Sequence, residues 1–167
     1  MLPSIDLRIA NMIKALEQVI LPALPKRERL ARDQAALVIG HLKLVSGQWK
    51  AALRFELVTL DDLIGLANNL AGILQGEIGA RLREAAVVAG KADRADVLAV
   101  EAAFTALGKV VDAAIVGGPD AAPLPRAATD AILNYGARQA WRERIWFKGN
   151  GLDPDKAELP EIADALK

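Results

Sequence analysis

An all-α fold is expected from three features of this sequence. Ala and Leu dominate an apolar fraction of 53% while aromatics supply only 4%, a balance that suits helices packed through small, unbranched side chains. Apolar residues recur at spacings of three, four and seven over long stretches. Pro and Gly fall mainly between those stretches. At 167 residues the chain fits one domain and can bury roughly two thirds of the surface it exposes when unfolded. The expected architecture is an antiparallel up-and-down helical bundle of four to five long helices over residues 1–148. Residues 149–167 are expected to form an acidic tail, with a short C-terminal helix, packing on the last long helix within a single domain overall.

The first helix takes Ser4 as its N-cap and carries Ile5, Ile9, Met12, Ile13, Leu16, Val19 and Ile20 on one face, until Pro22 and Pro25 end it. A second helix is expected from near Lys26 to Leu57, with Val38, Leu42, Val45, Trp49 and Leu53 as its apolar stripe and Gly47 as a point of kinking. Thr59 followed by Asp62 resembles a capping box and predicts a third helix reaching Gly90. Asp93 and Asp96 repeat the start signal for a fourth helix. Val97, Val100, Phe104, Leu107, Val111 and Ala114 form its stripe, and Gly117, Gly118 and Pro119 stop it. "GGPDAAPLPR" reads as an irregular connection to a fifth helix near Arg126 to Phe147. Leu159, Ile162, Ala163 and Leu166 are spaced for one amphipathic helical turn in the tail.

Composition narrows the chemistry. Lys plus Arg and Asp plus Glu are each 21, so no whole-chain field attracts nucleic acid or an anionic membrane. The absence of cysteine excludes disulfides and thiolate catalysis and suits a reducing cytoplasm, which is the expected location. No basic n-region and apolar h-region open the chain. The longest strongly apolar uncharged run, Leu63 to Gly76, has 14 residues, short of the ~20 that span a bilayer. Ser4 and Ser46 lie in no nucleophile-elbow context, His41 is the only histidine, and neither a P-loop nor a dinucleotide fingerprint is present. No catalytic residue, metal ligand set or cofactor is therefore expected.

Two surfaces need a reason. On a continuous third helix, Leu60, Leu63, Ala67, Leu70, Ala71, Leu74, Ile78 and Leu82 share the core face. Gly65, Gly72, Gly76 and Gly79 then line the opposite side beside Asp61, Asp62, Asn68 and Asn69. Four helix-interior glycines cost about 3 to 4 kcal/mol relative to alanine. Ordinary surface, close packing of another helix, or a ligand groove are the readings that fit. A groove of that kind would offer Asp61 and Asp62, with Glu56 as a further candidate, to magnesium and a phosphate ester. The second surface is "ARQAWRERIWFKGNG", where Trp141, Trp146 and Phe147 alternate with basic residues and Tyr135 lies one turn earlier. The wheel puts Trp141 with Ala137 and Ile145 on the core face and Trp146 nearer Tyr135 and Ile132. Arg142, Tyr135, Trp146 and Phe147 thus mark an aromatic-basic patch. Five basic and two acidic residues from Arg126 to Lys148 face five acids and two lysines in the tail, so the tail is one cover for the patch and a partner protein is another.

The segment "LEQVILPALPKRERLARDQAALVIGHLKL", Leu16 to Leu44, resembles the opening of small uncharacterised bacterial helical proteins encoded near phosphotransferase-like and acyl-CoA-dehydrogenase-like genes. The likeness rests on "LPAL" and an Ala-rich helix a dozen residues later, and it implies an accessory role near such enzymes. The function expected is that of a non-enzymatic helical interaction or accessory protein, acting as a homodimer or on a partner protein, with no nucleic acid and no membrane. The alternative is a small-molecule binder or a magnesium-dependent phosphate-ester or pyrophosphate hydrolase built on Asp61 and Asp62.

Overall fold

The computed structural model describes residues 2–117 and 123–166, so part of the connection expected between Gly117 and Arg126 lies outside the described residues. Every regular element among them is helical. They are α1 (Ile5–Ala15), a π-helical turn (Leu16–Ile20), α2 (Leu21–Ala23), α3 (Arg29–Gln48), α4 (Ala52–Ile73), α5 (Gly76–Ala89), α6 (Val97–Val116), α7 (Arg126–Trp146), a 3-10 turn (Lys148–Asn150) and α8 (Ile162–Ala165). The fold class is all-α with bundle packing. Backbone proximity groups the chain into two compact units: a terminal unit of Met1–Ala51 with Glu143–Ala165, and a central unit of Ala52–Arg142 with Leu166–Lys167.

In the central unit α4, α5 and α6 each pack against the other two. Their shared core contains Leu60, Leu63, Leu66, Leu70, Leu82, Val100, Leu107 and Val111, joined by Ala128 of α7. Full burial of each large side chain contributes about 1.5–3 kcal/mol. Asp96 caps α6 by accepting the Leu98 N–H at 2.9 Å, and Gly117, at φ 66°, ends it.

The third helix expected to run from Thr59 to Gly90 is two helices. Gly76 takes φ +67°, so the chain turns at Leu74–Gln75 and α5 folds back on α4. A Cβ on Gly79 would lie 2.8 Å from the Ala71 carbonyl oxygen, which also accepts a hydrogen bond from Arg83 Nη2 at 3.0 Å. Turn geometry and close approach therefore account for two of the four glycines. Thr59 is not a cap: it lies buried inside α4, its hydroxyl without a partner among the described residues.

In the terminal unit Ser4 accepts the Leu7 N–H at 3.2 Å and starts α1. Pro22 has no N–H to offer Gln18, and the ladder just before it widens, the Leu21 N–H reaching back five residues to Leu16. Asp6 pairs with Lys50 at 2.7 Å, Glu17 with Lys43 at 2.7 Å, and the Leu21 carbonyl accepts from Arg32 at 3.1 Å. As numbers rise along α1 they fall along α3, so the two helices are antiparallel. The second helix expected to reach Leu57 stops at Gln48, where three consecutive residues turn to other segments. Gln48 donates to the Trp146 carbonyl at 2.7 Å, Trp49 Nε1 to Asp6 at 3.0 Å, and Lys50 pairs with Asp6. Val38 and Val45, expected in the core stripe, are exposed, while Leu42 and Trp49 are half-buried.

Candidate functional site

The polar residues at the start of the glycine-bearing stretch are the site candidates, and the central unit holds both carboxylates in ion pairs. Asp61 receives Arg94 Nη1 at 2.9 Å and Nη2 at 2.6 Å, a two-pronged contact between α4 and the segment before α6. Hydrogen bonding to Asp61 raises the Arg94 guanidinium above its ordinary value. Asp62 accepts a very short hydrogen bond from Arg142 Nη2, a 3.3 Å hydrogen bond from Gln139 Nε2, and a longer ion-pair contact with Arg138 at 3.7 Å. Arg142 donates through its other terminal nitrogen to Gln139 Oε1 at 2.9 Å and is 9% exposed. A guanidinium this buried is stable only because carboxylate and amide oxygens receive its protons. What Asp61 and Asp62 do in this arrangement is fasten the Arg94 segment and α7 to α4.

The other residues of the expected stripe do not form one surface. Gly65 and Gly72 lie on the exposed side of α4, where a Cβ added to either would meet nothing within 4 Å, and Asn68 and Asn69 are exposed beside them. Gly76 sits in the turn, and Gly79 is buried against the end of α4. The aromatic-basic patch divides as well. Tyr135 packs half-buried on the central core and Arg142 is bound to Asp62. Trp146 and Phe147 belong to the terminal unit, where Trp146 is half-buried and Phe147 is exposed. Trp141, expected with Ile145 on the core face, is 47% exposed, whereas Ile145 is 1% exposed.

The C-terminal segment bonds to the end of α7. Arg144 donates to Asp153 at 2.7 and 3.0 Å and to Asp155 at 2.9 Å; Lys148 donates to the Leu159 carbonyl at 2.8 Å and Glu161 at 2.6 Å. The Arg144 guanidinium holds the Asp153 carboxyl below the usual carboxylate range. Below this segment lies an open cleft of about 620 Å³, lined by Gly47, Ile145, Lys148 and Ile162. A second apolar groove, of about 300 Å³, runs between α5 and α6 over Ala85, Ala89, Ala103 and Leu107.

No group of three or more His, Asp or Glu side chains able to hold a metal ion occurs among the described residues. No described helix is long and apolar enough to cross a membrane. Compared with known proteins, the chain matches no family model, no curated protein and no solved structure.

Sequence reasoning missed the partners of the two aspartates. Arg142 lies 80 positions from Asp62, and no local spacing announces such a pair. It also missed the uncovered apolar side chains of α1 and α3, although their spacing was visible, because periodicity identifies an apolar face without saying what covers it.

Proposed function

We propose that this protein is a non-enzymatic helical interaction protein that works by binding another protein chain, its own copy or a partner. The observation that carries this reading is the large apolar surface left outside the helix packing. Ile5, Met12, Val19, Leu30, Leu37 and Val45 in the terminal unit, and Val87, Val88, Leu98 and Leu133 in the central unit, are all exposed by 45% or more. Single exposed apolar residues are normal, whereas contiguous groups of them mark protein interfaces; the support here is that Ile5 and Met12 on α1, and Val38 and Val45 on α3, are each seven residues apart and so exposed on one side of their helix. The carboxylates on which a magnesium-dependent reaction would rest are already bound to arginines, so nothing specific favours that alternative. An accessory role beside an enzyme, as the Leu16–Leu44 resemblance implies, is one form such binding takes.

The test is a thermal-shift panel of magnesium, nucleotides and acyl-coenzyme A, run beside light scattering. The reading expects no shift with any of them, because a ligand that binds only the folded form must raise the melting temperature. A reproducible, saturable shift with one small molecule overturns it.

A further inference from the structure

We infer that the Asn150–Gly151 pair is a site of spontaneous deamidation, at which the Gly151 main-chain nitrogen displaces ammonia from the Asn150 side chain. The reaction lies within the terminal unit and is independent of the interaction reading above.

The pair stands where the fold needs it. After α7, Lys148–Asn150 make one further 3-10 turn, and the chain leaves that turn through Gly151 at φ 74°, a conformation that is costly for a residue with a Cβ. Asn150 supplies the other half of the stop. Its Oδ1 accepts the Leu152 N–H at 2.8 Å, the short side-chain turn that asparagine makes readily. The two residue types that end the helix therefore also form the one Asn-Gly step in the sequence.

Three features make that step reactive. Gly151 has no Cβ to shield its nitrogen, and both residues are exposed to the base that must remove its proton. Nucleophile and electrophile belong to neighbouring residues, so attack on Asn150 Cγ closes an unstrained ring without gathering any distant group. The Leu152 N–H already points at Oδ1, where negative charge develops as Cγ becomes tetrahedral, and a donor fixed at that place lowers the barrier. One contact opposes the reaction: the Gly151 N–H donates to the Lys148 carbonyl at 3.2 Å. It is a single bond in a terminal, exposed turn, the kind that opens most easily. The other asparagines are Asn11 in α1, Asn68 and Asn69 in α4 and Asn134 in α7. Each is followed by a residue with a Cβ, inside a helix whose ladder holds the next N–H.

Hydroxide takes the proton from the Gly151 nitrogen, whose electron pair forms a new bond to Asn150 Cγ. The bond from Cγ to Nδ2 then breaks, and Nδ2 leaves as ammonia with a proton from water. The cyclic imide so formed is opened by a second water. Addition at Cγ restores the original main chain with aspartate at position 150. Addition at the Asn150 main-chain carbonyl gives isoaspartate, in which the chain runs through Cβ and Cγ and the former main-chain carbonyl is a free carboxylate. Nothing is oxidised or reduced, and water is the only co-reactant. Either product adds one negative charge where α7 hands over to the acidic segment. Aspartate keeps an oxygen for the Leu152 N–H, whereas isoaspartate lengthens the main chain by one atom and breaks the turn.

The test holds the full chain for days in mildly alkaline and mildly acidic buffer and follows it by tryptic peptide mapping. Trypsin releases residues 149–156 between Lys148 and Lys156, and Asn150 is the only asparagine among them. In the alkaline sample this peptide is expected to lose its amide to two products of equal mass that separate by chromatography, the aspartyl and isoaspartyl forms. Peptides carrying Asn11, Asn68, Asn69 and Asn134 are expected to keep theirs, and the acidic sample is expected to stay unmodified. Gly151→Ala, with folding checked by helical circular dichroism, is expected to slow the loss. The wild-type chain unfolded in guanidinium chloride is the reference that needs no variant. A native chain that retains the Asn150 amide while the unfolded chain loses it overturns the inference, because the Gly151 bond to Lys148 then protects the site. Loss of the amide with no isoaspartyl form also overturns it, because water and not the Gly151 nitrogen is then the nucleophile.

Discussion

Among the described residues, the central unit buries a cluster of 13 apolar side chains running from Leu60 to Ala128, whereas the terminal unit buries Ile9, Ile39, Ile145 and Leu159. The terminal unit makes up part of the difference with polar links. Asp6 with Trp49 and Lys50, Glu17 with Lys43, Arg144 with Asp153 and Asp155, and Lys148 with Glu161 join its segments. Exposed ion pairs contribute little each, about 0.2–1 kcal/mol, and salt weakens them. The comparison shows two ways of holding helices: by a closed core, and by a polar frame around an apolar face that remains open.

Truncating the closed core has the largest expected effect. Leu70 is 0% exposed, and Leu70→Ala should cost about 2–5 kcal/mol, lowering the melting temperature by roughly 5–15 °C in calorimetry. Ile39→Ala in the terminal unit should cost less, because its surroundings are open enough to relax. An equal loss at both positions would break the comparison.

Removing Arg142 comes next. Arg142→Met leaves the partly buried Asp62 carboxylate without its main donor and should cost about 2–3 kcal/mol. Adding Asp62→Leu should restore much of that loss. A double-mutant cycle by urea unfolding measures the coupling, and a value near zero would deny that the pair fastens α7 to α4.

Salt and acid should act on the terminal unit first. Raising sodium chloride from about 0.05 to about 1 M shortens the screening length to about 3 Å. Amide exchange between Asp153 and Ala165 should quicken while the middle of α4 and α6 is unaffected. For acid, the Lys50 hydrogen bond, then that of Trp49, holds the Asp6 carboxyl below its ordinary value of 3.8, and Arg144 does the same for Asp153. Carboxyls depressed by folding contribute stability that is fully present above pH 3.8 and is lost as pH falls through their lower folded values. In a Trp141→Phe background, fluorescence of Trp49 and Trp146 should therefore change only below about pH 3.8. Asp6→Asn with Asp153→Asn should remove that step.

The smallest effect belongs to the central unit. Burial, and then the nearby Glu101, pushes the Glu56 carboxyl above its ordinary value of 4.5. A carboxyl raised by folding gives stability below that pH and loses it as pH rises through the folded value. Glu56→Gln should therefore raise the melting temperature slightly at about pH 7 and leave it unchanged near about pH 4. A gain that persists in acid would point to a different cause.

Much of the helical framework was legible because its signals are local. Ser4 and Asp96 cap the helices they were expected to start, Gly117 ends α6, and Val100, Leu107 and Val111 are buried as their spacing required. The breaks were less legible. Ala-rich sequence carries helix propensity straight through Leu74 and Trp49, and what stops it is a positive φ at Gly76 and hydrogen bonds to distant segments at Gln48 and Trp49. The candidate site was misread for the same reason. A wheel drawn through Gly72 and Gly79 as one helix aligned residues that stand on either side of a turn.

The sequence by itself determined that this protein is helical, where most helices begin, and which residues are apolar at helical spacing, because those properties depend on neighbours a few positions away. Only the tertiary structure decided that Asp61 and Asp62 hold arginines, that the glycine-bearing helix turns back on itself, and that Val38 and Val45 point outward while Ile39 is buried. Those outcomes depend on groups up to 80 positions apart, brought together by burial and ion pairing that no short window of sequence contains.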